Sequence, residues 1–232
     1  KHAKPVRDFS RAFILCIGVI SMSENTQTHV KAKSKITTRA ITACAMLTAV
    51  SAVLQFLEFS IPIIPSFVKL DLSDIPALIG TFVLGPLYGV VIELVKNIIH
   101  LPFGSSLGVG ELCNFIFGAV FTFSTGMIYK FKHNRAGAII ACVCGAVLMA
   151  VVSIPINYFF VYPAYVVVYN MPLDAIIDAY ETILEPIASV PTENSLLNCL
   201  IVFNFPFTLC KGLIEAAICY IIYKPISRLY HR

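Results

Sequence analysis

The sequence predicts an all-α integral membrane protein whose chain crosses the bilayer about six times. Apolar residues make up 58% of the 232 residues and charged residues 13%, and the mean hydropathy is +0.83. A water-soluble fold of this size could not bury that much apolar surface. Apolar stretches of about 18 residues or more recur from about Ile36 onward, and each is long enough to cross the hydrocarbon as a helix. The bilayer is therefore the expected solvent for most of the chain.

The first three helices are separated by proline and glycine signals. Helix one is expected over residues 39–57, after a basic segment and before the proline-rich SIPIIPSF. Helix two is expected over 73–84 and ends at GPLYG, where Gly85 and Pro86 predict a sharp break. Helix three follows over 87–101. Helices two and three are both short for full spans, so we expect tilt or re-entry here.

The last three helices are longer. After the loop PFGSSLGVGE, helix four is expected over 111–129 and ends in the basic cluster KFKHNR. Helix five covers 136–160, and an acidic connection without Lys or Arg follows over 164–194. Isoleucine and tyrosine spacing in that connection predicts an amphipathic helix, either a lid over the outer mouth or a plain surface helix. Helix six then spans 195–223.

Loop charges predict the orientation of the chain. Six crossings place the N-terminus, GPLYG, KFKHNR and the C-terminus on one side, and they leave only Lys69 among the basic loop residues on the other. The basic side is expected to face the cytoplasm. We expect residues 1–35 to form a polar N-terminal extension, of which residues 1–21 come from a start upstream of a native N-terminus at Met22. Residues 36–232 are expected to form the six-helix membrane domain.

Several function classes are disfavoured by the sequence. It contains no Walker loop, H-E-x-x-H or G-x-S-x-G motif, so we predict neither an enzyme nor a nucleotide-driven pump. The net charge of +4 comes from clusters between apolar runs, which favours membrane orientation over nucleic-acid binding. The eight cysteines form no C-x-x-C pair or zinc spacing, so we interpret them as small buried packing residues and predict no metal site.

Ionisable residues inside the predicted spans are the first functional candidates. Each costs about 2.5–3.5 kcal/mol at the bilayer centre unless a partner or a function offsets it. One interpretation pairs Glu93 with Lys96 at i, i+3 and Lys211 with Glu215 at i, i+4, which makes insertion tolerable. Another makes Glu93, Lys96 or Glu111 part of a proton relay in a secondary transporter or channel.

Helix six carries a polar stripe. Asn204, Thr208 and Lys211 follow one another at steps of four and three, so they lie on one helix face and offer donors and acceptors together. A second polar and aromatic wall is predicted near the outer end of helix five. Its members are Asn157, Tyr158, Tyr162 and Tyr165. These side chains either bind a ligand or form hydrogen bonds between helices.

Helix one carries alanines at small-x-x-x-small spacing, including Ala45 and Ala49. Small side chains let another helix approach closely. The approaching helix is either internal or part of a separate membrane subunit.

Four segments resemble a known family. They are KLDLSDIPALIGTFVLGPLYGVVIELVKNIIH, GVGELCNFIFG, INYFFVYPAY and FNFPFTLCKG, and the likeness extends over about residues 36–230. Together they resemble the riboflavin-specific S component of energy-coupling-factor (ECF) transporters. The resemblance implies a six-helix subunit in the bacterial cell membrane that binds the vitamin near the outer face. It also implies a transmembrane coupling subunit and two ABC ATPases as partners, and riboflavin as cargo rather than cofactor.

The resemblance also implies particular residues. Ala45 and Ala49 would contact the coupling subunit. At Thr208 this sequence departs from a family pattern that often has Asn. The implied flavin contacts are Leu57, Glu58, Phe59, Leu70, Asn157, Asn204, Thr208 and Lys211.

Riboflavin suits this inventory, because its apolar tricycle fits among Leu, Phe and Tyr while its pyrimidine edge and hydroxyls need amide and ammonium partners. Flavin mononucleotide would ask for more positive charge on the outer side than the sequence offers. Two alternatives stay open. One is an S component for pantothenate, thiamine or a pyrimidine precursor, and the other is the proton-coupled transporter.

Overall fold

The computed structural model describes residues 37–58, 70–104, 108–169 and 195–230. The regular elements in these ranges are helices. They are α1 (Thr38–Phe56), α2 (Asp74–Val83), α3 (Pro86–His100), α4 (Val109–Phe131), α5 (Arg135–Ile156), a first π-helical segment (Asn157–Val161), α6 (Tyr162–Tyr169), α7 (Ser195–Cys199), a second π-helical segment (Leu200–Asn204) and α8 (Phe205–Tyr230). The helix starts and the break at GPLYG agree with the sequence prediction to within about two residues.

The break between α2 and α3 is built from Gly85 and Pro86. Gly85 has φ 116° and ψ 166°, a backbone conformation that a side chain disfavours strongly. Pro86 occupies the first position of α3, where its missing N–H leaves no helical hydrogen bond unmade. The chain therefore turns sharply here, so that α3 packs against α2.

A short apolar helix, α2, lies at the centre of the fold. α2 is buried from Asp74 to Thr81 and contacts α1, α3, α4 and α8. A helix of this length rises about 15 Å, which is half the thickness of the hydrocarbon. Its apolar side chains Ile75, Leu78 and Ile79 form the core with residues of the surrounding helices. The start of α2 is consequently held deep inside the bundle.

The helix α3 is polar on the face toward the bundle and apolar on the exposed face. On α3 the polar side chains Glu93, Lys96, Asn97 and His100 face the bundle beside Ile92, and all of them are buried. The side chains exposed on its other face are Leu87, Val91, Leu94, Val95, Ile98 and Ile99. This pattern is the reverse of a soluble amphipathic helix, and it is the one expected where lipid surrounds the protein.

Four helices of the described part are long and apolar enough to cross a membrane: Thr38–Phe56, Val109–Phe131, Ala136–Val167 and Leu196–Ile222. α2 and α3 are shorter, as the sequence predicted. The chain is thus a helical membrane protein, and six crossings remain a prediction.

The two longest helices continue beyond their predicted ends. α5, the first π segment and α6 form one helix that runs on to Tyr169, and α7, the second π segment and α8 run on to Tyr230. The ends predicted at residues 160 and 223 were therefore too early, because residues 164–169 are apolar and continue the helix past Pro163. The amphipathic helix predicted within 164–194 falls mostly on 170–194, which lies outside the described residues, as does the 1–35 extension.

Each π-helical segment precedes a proline. A proline ring collides with the carbonyl four residues earlier, and these carbonyls belong to Phe159 for Pro163 and to Val202 for Pro206. Both carbonyls lie within the π segments. In each segment the closing backbone N–H bonds five residues back, from Tyr162 to Asn157 and from Phe205 to Leu200. The wider turn admits the proline without ending the helix.

Within the described part of the chain the cysteines form no disulfide. Five are buried, as predicted: Cys44, Cys113, Cys142, Cys199 and Cys219. The prediction was wrong for Cys144 and Cys210, which are exposed on the outer surface of their helices. A small apolar thiol is tolerated there because the surrounding surface is apolar as well.

Candidate functional site

Six charged side chains from three parts of the chain meet inside the bundle, and we call them the charge cluster. Asp71 precedes α2 and Asp74 begins it, while the others lie on α3 and α8. The six members are Asp71, Asp74, Glu93, Lys96, Lys211 and Glu215. The central position of α2 brings these groups together.

Lys96 is the fully buried ammonium group of the cluster. Its side chain is 0% exposed, and it pairs with Asp74 and, at 2.8 Å, with Glu93. It also donates to the Ser73 hydroxyl at 2.6 Å. The predicted Glu93–Lys96 ion pair is therefore confirmed, and Asp74 is an additional partner that the sequence analysis missed.

Lys211 is the second ammonium group, and it lies nearer the surface of the cluster with 12% of its side chain exposed. Its Nζ atom is 3.2 Å from Asp71, 3.6 Å from Asp74 and 3.9 Å from Glu215. The predicted pairing with Glu215 is thus present but is the longest of the three. These three carboxyl groups offer oxygens within 4.8 Å of one another, an arrangement that could hold a metal ion. The Lys211 ammonium group already supplies positive charge to all three.

Asp71 is fixed by a short turn. The backbone N–H of Ser73 donates to Asp71 Oδ1 at 2.9 Å, and the Ser73 hydroxyl donates to the same oxygen. The other oxygen, Oδ2, accepts from Lys211. Ser51 on α1 in turn donates to the Ser73 carbonyl. One carboxylate oxygen is therefore committed to the turn and the other to the lysine.

The cluster contains more carboxyl groups than ammonium groups, four against two. Neither carboxyl oxygen of Glu215 has a hydrogen-bond partner within the described part of the chain. Buried charges are costly unless they are paired, and both ammonium groups of the cluster already have carboxyl partners, so a further anion would lack an offsetting charge there.

The predicted polar walls of helices five and six meet at Tyr162 and Asn204. The Asn204 amide lies 3.4 Å from the Tyr162 hydroxyl, and both side chains are buried. Asn157 is also buried and donates to the Ser153 carbonyl at 2.8 Å. Asn157 begins the first π segment and Asn204 ends the second. Such segments are frequent at functional sites, because they redirect side chains from the regular helical ladder.

The remaining predicted contacts are more exposed. Leu57 is 65% exposed and Tyr158 is 37% exposed, with its ring against Phe159. Glu58, Leu70 and Thr208 are half-buried. Phe59 lies outside the described residues. A ligand role for each of these residues remains a prediction.

Ala45 and Ala49 are both exposed on α1. Of the two open interpretations, internal packing does not apply to them, because internal packing would bury their side chains. Contact with a separate subunit remains a prediction.

A second polar network joins α1, α3 and α4. Gln55 donates to Asn97 at 3.0 Å, and Asn114 lies 3.4 Å from the same oxygen. The His100 ring meets Glu111 at 3.2 Å. The sequence analysis considered Glu111 for a proton relay and missed its contact with His100.

The sequence analysis also missed the acidic half of the cluster, Asp71 and Asp74. A signal was available, because lysines placed inside two apolar helices require carboxylates, and these two aspartates flank the start of an apolar helix. Helix spacing reveals partners on the same helix, whereas Asp71 is 140 positions away from Lys211.

The fold and the charge cluster define a helical membrane protein with a polar site inside the bundle. Residues 39–226 match the substrate-specific component of ECF transporters, and the chain belongs to this family. Membership makes it a transport subunit rather than an enzyme, in agreement with the sequence prediction.

Named relatives and a solved structure agree with this assignment. The chain is 29% identical to the riboflavin transporter RibU of Staphylococcus aureus (strain TCH60), over 81% of the chain and 90% of the relative. It is 27% identical to the riboflavin transporter FmnP of Bacillus subtilis (strain 168), over 77% and 87%. A solved S component of a bacterial ECF transporter superposes with a TM-score of 0.66 at 27% identity, covering 84% of this chain and 98% of that one.

Loss of the Lys96 charge should destabilise the bundle. In Lys96→Met, Glu93 loses its ammonium partner inside the protein, so we expect the free energy of unfolding to fall by about 3–5 kcal/mol. Thermal and chemical unfolding of the purified protein in detergent measure this change. The double variant Lys96→Met/Glu93→Gln should recover part of the loss. Equal stability of the wild type and Lys96→Met would contradict this account of the cluster.

Proposed function

We propose that this chain is the substrate-binding subunit of an ECF-type importer and captures riboflavin at the outer face of a bacterial plasma membrane for ATP-driven uptake. The observation that carries the proposal is the placement of Lys211. Its ammonium group is held at the partly exposed edge of the charge cluster, on the helix that also bears Thr208 and Asn204. The riboflavin transporters among its relatives support this choice of cargo.

The side chains of the proposed contact set suit the two halves of a flavin. The amides of Asn157 and Asn204 can donate to and accept from its pyrimidine edge, and the Lys211 ammonium group can donate to a carbonyl or a hydroxyl. Aromatic and aliphatic side chains toward the predicted outer face, such as Tyr158 and Leu57, would cover the tricycle. The proposed contact set is Leu57, Glu58, Phe59, Leu70, Asn157, Tyr158, Asn204, Thr208 and Lys211.

The charged groups around Lys211 favour an uncharged ligand. The carboxyl groups around Lys211 already offset its charge. An anionic ligand would bring a negative charge without a partner into a site of low dielectric constant, which is costly. Riboflavin, which carries no charge, avoids this cost.

The same proposal gives the chain its orientation and its partners. Six crossings of residues 36–232, with both termini and the KFKHNR turn in the cytoplasm, place the flavin contacts toward the outer face. Since the sequence has no nucleotide-binding motif, ATP hydrolysis must come from other subunits. The exposed alanines Ala45 and Ala49 are the proposed contact with the transmembrane coupling subunit, which would join two ABC ATPases to the chain.

The purified chain should bind riboflavin with nanomolar affinity and quench its fluorescence. In Lys211→Met the alkyl chain is kept and the ammonium donor is lost, so we expect affinity to fall about tenfold or more. Titration of flavin fluorescence measures both values.

Lys130→Met is the matched control, because Lys130 is exposed in the KFKHNR cluster. Lys130→Met should bind riboflavin with the affinity of the wild type. Thiamine and pantothenate should not compete with riboflavin for the wild-type chain. Failure of the wild type to bind micromolar riboflavin would refute the proposed cargo.

The orientation is testable by cysteine labelling. In a variant without native cysteines, His133→Cys reports on the KFKHNR turn and Phe103→Cys on the opposite end of the bundle, and both positions are exposed. In intact cells a membrane-impermeant maleimide should label Phe103→Cys only, and permeabilisation should expose His133→Cys. Labelling of His133→Cys in intact cells would reverse the proposed topology.

A further inference from the structure

The Asp71 carboxylate holds the ammonium group of Lys211, and Ser73 in turn holds the Asp71 carboxylate. Asp71 Oδ1 accepts two hydrogen bonds from Ser73, and Oδ2 accepts one from Lys211. Ser73 also bonds to Ser51 on α1 and to Lys96 on α3. The orientation of Asp71 is therefore set by contacts with two helices other than α8.

Within the cluster, Asp71 and Asp74 have different partners. Asp74 pairs with both lysines, whereas the ion pair of Asp71 is with Lys211. Glu215 completes the surroundings of Lys211, but at 3.9 Å it lies beyond hydrogen-bonding distance. Asp71 thus provides the shortest contact to the Lys211 ammonium group.

A lysine side chain has several rotatable bonds, and ordering it on ligand binding weakens affinity. A lysine that is already ordered in the free protein does not incur this loss when the ligand arrives. We propose that Asp71 is a positioning residue for ligand capture, which fixes the Lys211 ammonium group in the geometry that meets the flavin. This inference rests on the proposed function, since the flavin is the ligand that Lys211 would meet.

A double-mutant cycle tests the inference. Asp71→Asn keeps the size of the side chain and removes the charge that holds Lys211. We expect it to weaken riboflavin binding about tenfold in the otherwise wild-type chain. In the Lys211→Met background the same change should weaken binding by less than about twofold, because the group it positions is gone.

Two further variants make the result specific. Glu111→Gln is the matched control, an acid-to-amide change at another buried carboxyl group that contacts His100 on α3. It should leave riboflavin affinity unchanged. Asp71→Glu retains the charge but displaces the carboxylate from the Ser73 turn. Asp71→Glu replaces Asp71→Asn in the cycle if Asp71→Asn does not fold. We expect Asp71→Glu to weaken riboflavin binding less than Asp71→Asn does, and this loss should also vanish in the Lys211→Met background.

The outcomes are distinguishable. Equal losses from Asp71→Asn with and without Lys211 would overturn the inference, because a merely structural role acts in both backgrounds. No loss in either background would overturn it as well. If the wild-type chain does not bind riboflavin, the proposed function fails first and the inference falls with it.

Discussion

The constraint on which this structure depends is that charged groups inside a lipid-surrounded bundle must find their partners within the protein. Lipid tails offer no hydrogen bonds, so a lone ammonium or carboxylate group there is costly. The chain meets this constraint by turning the polar face of α3 inward and bringing the start of α2 to Lys96 and Lys211. The exposed face of α3 is correspondingly apolar.

The short length of α2 also serves the pairing of buried charges. A longer helix would cross the whole bilayer and carry its first residues to the membrane surface. With ten residues, α2 starts inside the bundle, where Asp71 and Asp74 can meet lysines from two other helices. The break at Gly85 then returns the chain along α3. The site is thus assembled from segments that are distant in sequence, and α2 is the element that joins them.

Much of this arrangement was predictable from local signals. Hydropathy and prolines located the helices, and the i, i+3 spacing of Glu93 and Lys96 predicted their ion pair. The stripe from Asn204 to Lys211 was also visible, because it depends only on helical periodicity. The two π segments were not predictable, since a proline inside a helical pattern commonly indicates a kink or an end.

The carboxylates around Lys211 could not be paired with it by spacing, because the contact between Asp71 and Lys211 depends on how α2 packs against α8. The amino-acid composition does limit the number of acidic residues that can pair with a buried lysine. Few acidic residues lie near the apolar helices, so each buried lysine has few potential partners. For a membrane protein, a useful question is therefore which acidic residues a buried lysine can reach once the helices are packed.

We propose that riboflavin binds at the partly exposed edge of the charge cluster, against Lys211. An experimental structure of the chain with riboflavin bound tests it most directly. We expect a flavin oxygen or nitrogen within about 3.2 Å of Lys211 Nζ, with the contact between Lys211 and Asp71 retained. Riboflavin bound away from α8, with Lys211 still enclosed by its carboxylates, would contradict it.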